Sequence, residues 1–287
     1  MAFYFETLFN TAVNNIDAGG VISGVVTAGN WLLLASLLYA IYENWVAGDV
    51  SSLGAAGVRY LCAGIILNFY TPAFLSVNHS FNLMAQTIDN AGASGVDVFV
   101  KWSNDLGTYI GSSGHPSLWG MVTGTLSGAV SALCLGLAYL VFPISTGIFA
   151  ILYCLYGCVL FAVGPVILGL IPLRGLGQVA KTFAINVMVF NTWGIIYALF
   201  GCLLTVLNLG TPSDVMNSGS FLGSFVGVGS SILLGLVSIM LSVMILTIPV
   251  IATKIVKGDM GSAVGTAVRA VSTAVGAIRG FGGGGSG

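Results

Sequence analysis

The stretch TGIFAILYCLYGCVLFAVGPVILGLI, Thr146–Ile171, contains no charged side chain. A helix needs about 20 mostly apolar residues to cross the hydrocarbon core of a bilayer, so this run is long enough to span one. Apolar residues make up 56% of the 287-residue chain and charged residues 6%, with a mean hydropathy of +1.01. A soluble protein could not cover its surface with so few charges, and disorder requires low hydrophobicity. The composition therefore predicts an all-α, polytopic transmembrane protein.

The hydropathy pattern on either side of this run predicts about five to six spans in total. Besides Thr146–Ile171, the candidate spans are Val21–Tyr42, Gly54–Val77, Leu118–Val141, Thr182–Leu207 and Phe221–Ala252. Pro143 separates two of them, because proline removes a backbone donor and bends or ends a helix. The chain then divides into an N-terminal interfacial segment (1–20), the first two spans (21–77), a polar central segment (78–116), a transmembrane helical core (117–252) and a basic Gly/Ala/Val-rich tail (253–287).

Two of these segments are expected at the membrane surface. Residues 1–20 are too short to span and are interpreted as an interfacial helix with Glu6 and Asp17 on its wet side. They lack the basic region that precedes the apolar part of a cleaved signal peptide, so no such peptide is expected. The central segment mixes apolar and polar residues, which indicates a re-entrant or amphipathic structure. In the tail, valines at heptad spacing predict a short partner helix or a surface helix.

The distribution of Lys and Arg predicts the orientation, since cytoplasmic loops are enriched in both. The Arg174–Lys181 turn carries two basic residues and the tail four, whereas Asn208–Ser220 carries none. The turn and the tail are therefore expected in the cytoplasm and Asn208–Ser220 outside. Two predicted spans between the central segment and Arg174 would place that segment inside as well, yet its acidic, Gly/Ser-rich composition is typical of an exported loop. The sequence leaves this conflict open.

Small residues recur every four positions in two of the spans. In lipid, small residues let helix backbones approach closely, so both series predict close helix packing, within the chain or between subunits. The alternative is the ordinary enrichment of Gly in membrane helices. The glycines concerned are Gly120, Gly124, Gly128 and Gly136 in the first series, with Ala132, and Gly223, Gly227 and Gly235 in the second, with Ser231.

No residue pattern in the chain predicts catalysis, a metal site or a cofactor site. The motifs of serine hydrolases, zinc proteases and P-loop nucleotide-binding proteins are missing from the sequence. His79 and His115 lie far apart without a metal-ligand context. Cys154 and Cys158 share a helix face, as a thiol or metal pair would, but small apolar packing residues are the simpler interpretation. The asparagines within the spans, Asn30, Asn68, Asn186 and Asn191, are expected to bridge helices.

One segment supplies a resemblance. Gly164-Pro-Val-Ile-Leu-Gly-Leu-Ile-Pro-Leu-Arg174, followed by a basic turn and an apolar helix with Trp193, resembles the inner-membrane polytopic channel subunit of type IV secretion and conjugation systems, the TrbL/VirB-six family. The general layout, two spans, a polar centre and further spans with a Gly/Ala-rich tail, is similar across most of the chain. Two features depart from the family pattern: Pro172-Leu173 replaces the commoner aromatic and Thr, and Trp193 comes late.

The resemblance implies a subunit of the inner-membrane platform, without enzymatic activity or cofactor. Its implied partners are other membrane subunits and ATPases of a secretion complex, the lipid bilayer, translocating DNA or protein, and further copies of the chain. The family's central loop is generally periplasmic, which an odd number of crossings between that loop and Arg174 would satisfy. The alternatives are a stand-alone small-molecule transporter or channel, and a pore-forming membrane protein of a phage or mobile element.

Overall fold

The computed structural model describes residues 4–48, 50–92, 97–111, 126–173, 177–216 and 230–258. These residues form helices and short connections without a β-strand. In chain order the helices are α1 (Tyr4–Ala18), α2 (Val21–Val46), α3 (Val50–Asn68), α4 (Tyr70–Gly92), α5 (Val98–Gly111), α6 (Leu126–Gly169), α7 (Gly177–Val206), α8 (Pro212–Met216) and α9 (Ser230–Val256).

Within the described residues, four helical segments are long and apolar enough to cross a membrane: Val21–Val46, Ala129–Gly169, Gly177–Val206 and Ile232–Val256. A fifth crossing results if the pair Leu53–Asn68 and Tyr70–Gly92 is counted as one span. The chain is therefore a multi-pass, all-α membrane protein, as its composition predicts. The count of up to five lies at the lower end of the predicted range.

The predicted second span, Gly54–Val77, is wrong as a single helix. The helix breaks at Phe69, where α3 and α4 meet at an angle of 72°. The boundary predicted between residues 77 and 78 falls inside α4, so the polar central segment begins as the continuation of a membrane helix. The bend turns α4 so that Tyr70 and Phe74 are buried.

The predicted separation of two spans at Pro143 is also wrong, because α6 continues through this residue. Proline removes one backbone donor, and neighbouring hydroxyl groups supply extra hydrogen bonds to the helix backbone, as Ser and Thr do in membrane helices. The Ser145 hydroxyl donates to the Val141 carbonyl at 2.7 Å, and the Thr146 hydroxyl donates to the Pro143 carbonyl at 2.8 Å. One long helix thus replaces Leu118–Val141 and Thr146–Ile171 over the described residues.

The chain forms two compact units. The first unit consists of Met1–Leu83 and Leu152–Thr192, and the second of Met84–Ile151 and Trp193–Gly287. Because these boundaries fall within α4, α6 and α7, each of these helices contributes one part to each unit.

Aromatic side chains form the core of the first unit. Phe9 is fully buried, and its ring centroid lies 5.6 Å from that of Phe190 and 6.2 Å from that of Phe74. Tyr70 stacks on Phe161 at 5.5 Å. Since aromatic rings bury large areas and add specific edge and face contacts, this cluster fixes α1 against α4, α6 and α7.

The second unit is organised around α5, whose apolar face is buried. Phe99, Trp102 and Leu106 are almost fully buried, whereas Lys101 is exposed. The Trp102 indole Nε1–H donates to the Ser238 hydroxyl of α9 at 3.1 Å. The amphipathic character predicted for the central segment is therefore present in α5.

Candidate functional site

A buried polar network lies among the apolar helices of the first unit, with Asn78 of α4 at its centre. The Asn78 side-chain N–H₂ group donates to the side-chain oxygen Oδ1 of Asn191 on α7 at 2.8 Å and to the Tyr153 hydroxyl of α6 at 3.3 Å. Asn82, one turn along α4, donates to the Asn78 side-chain and backbone oxygens, both at 2.9 Å. Burying amides without partners is costly, so these bonds select one packing of α4, α6 and α7.

The network is bordered by a carboxylate and an imidazole. Glu6 of α1 is buried, and its Oε1 lies 2.6 Å from Nδ1 of His79 on α4. The prediction that Glu6 faces water is wrong, because Glu6 lies on the side of α1 that packs into the first unit. Asp17 at the end of the same helix is exposed, as predicted. The His79 side chain is 57% exposed, so Glu6 is the buried member of the pair. Buried ionisable groups in membrane proteins are paired and mark functional positions, which makes Glu6, with His79 as its partner, a candidate site residue.

The segment that carries the family resemblance forms a tight helix crossing in the first unit. A Cβ added at Gly29 of α2 would lie 2.7 Å from the Pro165 carbonyl oxygen, and one at Gly169 would lie 2.6 Å from the Gly29 carbonyl oxygen. Gly164 leaves room for the hydroxyl group of Tyr70, which donates to the Phe161 carbonyl at 2.9 Å. The Ser36 hydroxyl of α2 donates to the Gly169 carbonyl at 2.8 Å. The backbones of α2 and α6 can approach this closely because Gly29 and Gly169 have no Cβ atom.

Trp193 of the family motif is not part of this crossing. Trp193 belongs to the second unit, where its buried ring lies 6.1 Å from that of Phe149. Arg174 lies outside the described residues. The structure therefore assigns Gly164 and Pro165 to helix packing in one unit and Trp193 to the core of the other.

The second unit contains a partly buried carboxylate at the start of α5. Asp97 accepts hydrogen bonds from the backbone N–H groups of Phe99 at 2.9 Å and Val100 at 3.3 Å. The Tyr197 hydroxyl of α7 donates to both carboxylate oxygens at 3.0 Å. Burial raises the pKa of Asp97 above its ordinary value, and these three donors offset part of that rise. Asp97 therefore acts as the cap of α5 and anchors it to α7.

The small-residue series is described only in part. A Cβ added at Gly235 of α9 would lie 2.9 Å from the Cys134 carbonyl oxygen of α6, so these two helices are in close contact within the second unit. A Cβ at Gly136 would meet no atom within 4 Å. Gly128 lies in α6, and nothing is described around it. Gly120, Gly124, Gly223 and Gly227 lie outside the described residues, so the series as a whole stays a prediction.

The described residues contain no group of three or more His, Cys, Asp or Glu side chains that could hold a metal ion. Cys154 and Cys158 are free thiols. Among the asparagines expected to bridge helices, Asn191 does so, whereas Asn30 and Asn68 are exposed along one groove of α2 and α3. Sequence reasoning missed the pairing of Glu6 with His79. The available signal was Glu6, which interrupts the buried apolar face of α1, whereas His79 lies on an exposed side of α4.

Comparison with family models, curated protein sequences and solved structures finds no match for this chain.

Proposed function

We propose that this chain is an inner-membrane platform or channel subunit of a type IV secretion (conjugative transfer) machine. In this role it assists the translocation of DNA or protein substrate or the assembly of a pilus. It works as an oligomer with other membrane subunits, and partner ATPases supply the energy. The chain itself has no catalytic role in this proposal.

The observation that carries the proposal is the single helix α6 between the central segment and the basic residues Arg174 and Lys181, the latter in the start of α7. With two spans in this region, both segments would lie on the same side of the membrane. One crossing places them on opposite sides, so that the central segment is periplasmic when the turn is cytoplasmic. This layout agrees with the general topology of the TrbL/VirB-six family and supports the resemblance carried by Gly164, Pro165 and Arg174.

The positions of the basic residues support the same topology. When the bent pair α3–α4 counts as one crossing, the described part of the chain crosses the membrane five times. Seven of the eight Lys and Arg residues then fall on one side and Lys101 on the other, which is the asymmetry that the positive-inside rule predicts. The proposed cytoplasmic set is Arg59, Arg174, Lys181, Lys254, Lys257, Arg269 and Arg279. The tail is thus cytoplasmic, and Asn208–Ser220 is periplasmic.

The proposal is tested by deleting the gene from a transfer-competent host and measuring conjugative transfer or protein export. Transfer is expected to be lost and to return with the wild-type gene or with a Gly24→Leu variant, since Gly24 is exposed with open space around its Cα. A Gly29→Leu variant is expected not to restore transfer, because it blocks the crossing with Pro165. Unchanged transfer in the deletion strain would contradict the proposal.

A second candidate function, a stand-alone small-molecule transporter or channel, is favoured by one observation. The helix break at Phe69 comes just before the polar network around Asn78, and broken helices beside polar side chains are typical of transporter binding sites. This alternative predicts solute or proton flux by the purified protein alone in vesicles, and loss of that flux in Asn78→Leu. A platform subunit is expected to show no such flux without its partners.

A further inference from the structure

A cavity of about 540 Å³ lies at one end of the first unit. Three chain segments form it: α3, the turn after α6 and the first turn of α7. Its lining residues are Arg59, Ile171, Leu173, Gly177, Gln178 and Lys181. The cavity is separate from the polar network around Asn78, with which it shares no residue.

The described lining of this cavity carries only positive charge. Arg59 and Lys181 come from two different helices, and none of the described lining residues is acidic. Throughout the described part of the chain, no carboxylate lies within ion-pair distance of either side chain. Only eight Lys and Arg residues occur in the whole chain, so two of them on one small cavity form a local concentration of positive charge. The arginine fork also suits the oxygen atoms of a phosphate group.

The rest of the lining indicates what carries the phosphate group. Ile171 and Leu173 give the cavity an apolar wall. Val58 and Leu61 lie close to Arg59 on α3, and both are exposed apolar side chains. The helix α3 is part of the bent candidate span α3–α4. An anionic phospholipid can place its headgroup between the two cations and its acyl chains along these apolar surfaces. A soluble phosphate compound would gain nothing from them.

We propose that the Arg59–Lys181 cavity is a binding site for the phosphate headgroup of an anionic phospholipid. Basic pockets between membrane helices bind such headgroups in general. The proposal stands independently of the secretion role, because it rests on the cavity and its charges alone. In the proposed topology the cavity faces the cytoplasmic leaflet.

The test titrates the purified full-length protein in detergent with phosphatidylglycerol and, separately, with zwitterionic phosphatidylcholine. Bound lipid is counted by native mass spectrometry. Wild type is expected to retain phosphatidylglycerol in preference to phosphatidylcholine. The double variant Arg59→Gln/Lys181→Gln is expected to bind phosphatidylglycerol roughly 25-fold more weakly, about fivefold for each cation. The matched control Lys101→Gln/Lys257→Gln removes two exposed cations outside the cavity and is expected to bind like wild type.

Two results would overturn the proposal. The first is equal binding of phosphatidylglycerol by wild type and the cavity variant. The second is displacement of the lipid by inorganic phosphate at comparable concentration, which would assign the cavity to a soluble phosphate compound. Should the double variant fail to fold, the single variants Arg59→Gln and Lys181→Gln replace it, and unchanged affinity in both would be equally contradictory.

Discussion

The two units bury their polar groups in different ways. In the first unit, Asn78 bonds to side chains of other helices, and Glu6 is paired with His79. In the second unit, Asp97 is held largely by the backbone N–H groups at the start of its own helix, with Tyr197 as the one distant donor among its described bonds. Long-range pairs depend on correct helix packing, whereas a helix cap forms with the helix itself.

The units also differ in how the described helix backbones approach each other. In the first unit, Gly29 and Gly169 meet at one crossing, where each lies against backbone atoms of the other helix. In the second unit, Gly235 approaches the Cys134 carbonyl of α6 from one side. The Gly29–Gly169 crossing therefore depends on glycine on both helices, and we expect it to be more sensitive to added side-chain volume than the contact at Gly235.

The largest effect is expected for Gly29→Leu. The new side chain would overlap the Pro165 carbonyl group, and overpacking of this kind costs about 3 kcal/mol or more in free energy of unfolding. The midpoint of denaturant unfolding in detergent measures this loss. Gly24→Leu, on the same helix but in open space, is the control and is expected to unfold like wild type. Equal midpoints for the two variants would show that the crossing tolerates a side chain.

A smaller effect is expected in the polar network. A double-mutant cycle with Asn78→Leu and Asn191→Leu measures the coupling between the two amides, which we expect to be about 1 kcal/mol, as for interhelical hydrogen bonds in other membrane proteins. The control cycle pairs Asn78→Leu with Asn186→Leu on the same helix α7 and is expected to show almost no coupling. Equal coupling energies in both cycles would contradict a specific hydrogen bond between Asn78 and Asn191.

The smallest effect is expected for Asp97, because it involves one proton. Its native pKa is raised, so the folded state holds this proton at pH values where the unfolded chain, with an ordinary carboxyl pKa of about 3.9, has released it. The free energy of unfolding should therefore fall as pH rises from that ordinary value through the native pKa.

Unfolding midpoints of wild type and Asp97→Asn across this pH range test the linkage. Asparagine keeps a side-chain oxygen for the helix cap but cannot titrate, so the fall in stability should be reduced in this variant. Asp17→Asn removes an exposed carboxylate and should leave the fall unchanged. A steeper fall in Asp97→Asn than in wild type would contradict the raised pKa.

The sequence by itself determined the class of the protein. The scarcity of charge and the long apolar runs dictate membrane helices, since every backbone group in lipid needs an intrahelical partner. The approximate bounds of α2 and α7 also follow from hydropathy alone. These properties are local, so neighbouring residues in the chain are sufficient to predict them.

Only the tertiary structure decided where helices bend and which polar groups meet. Pro143 predicts an end to a helix, yet α6 continues. The break occurs instead at Phe69, where Pro72 in the first turn of α4 cannot donate to the Asn68 carbonyl at the end of α3. The sequence predicts that Glu6 faces water on a short helix, whereas in the structure it pairs with His79, 73 positions away. Arg59 and Lys181 likewise share a cavity only because the fold brings α3 and the start of α7 to the same place. These contacts join residues far apart in sequence, and packing rather than local pattern determines them.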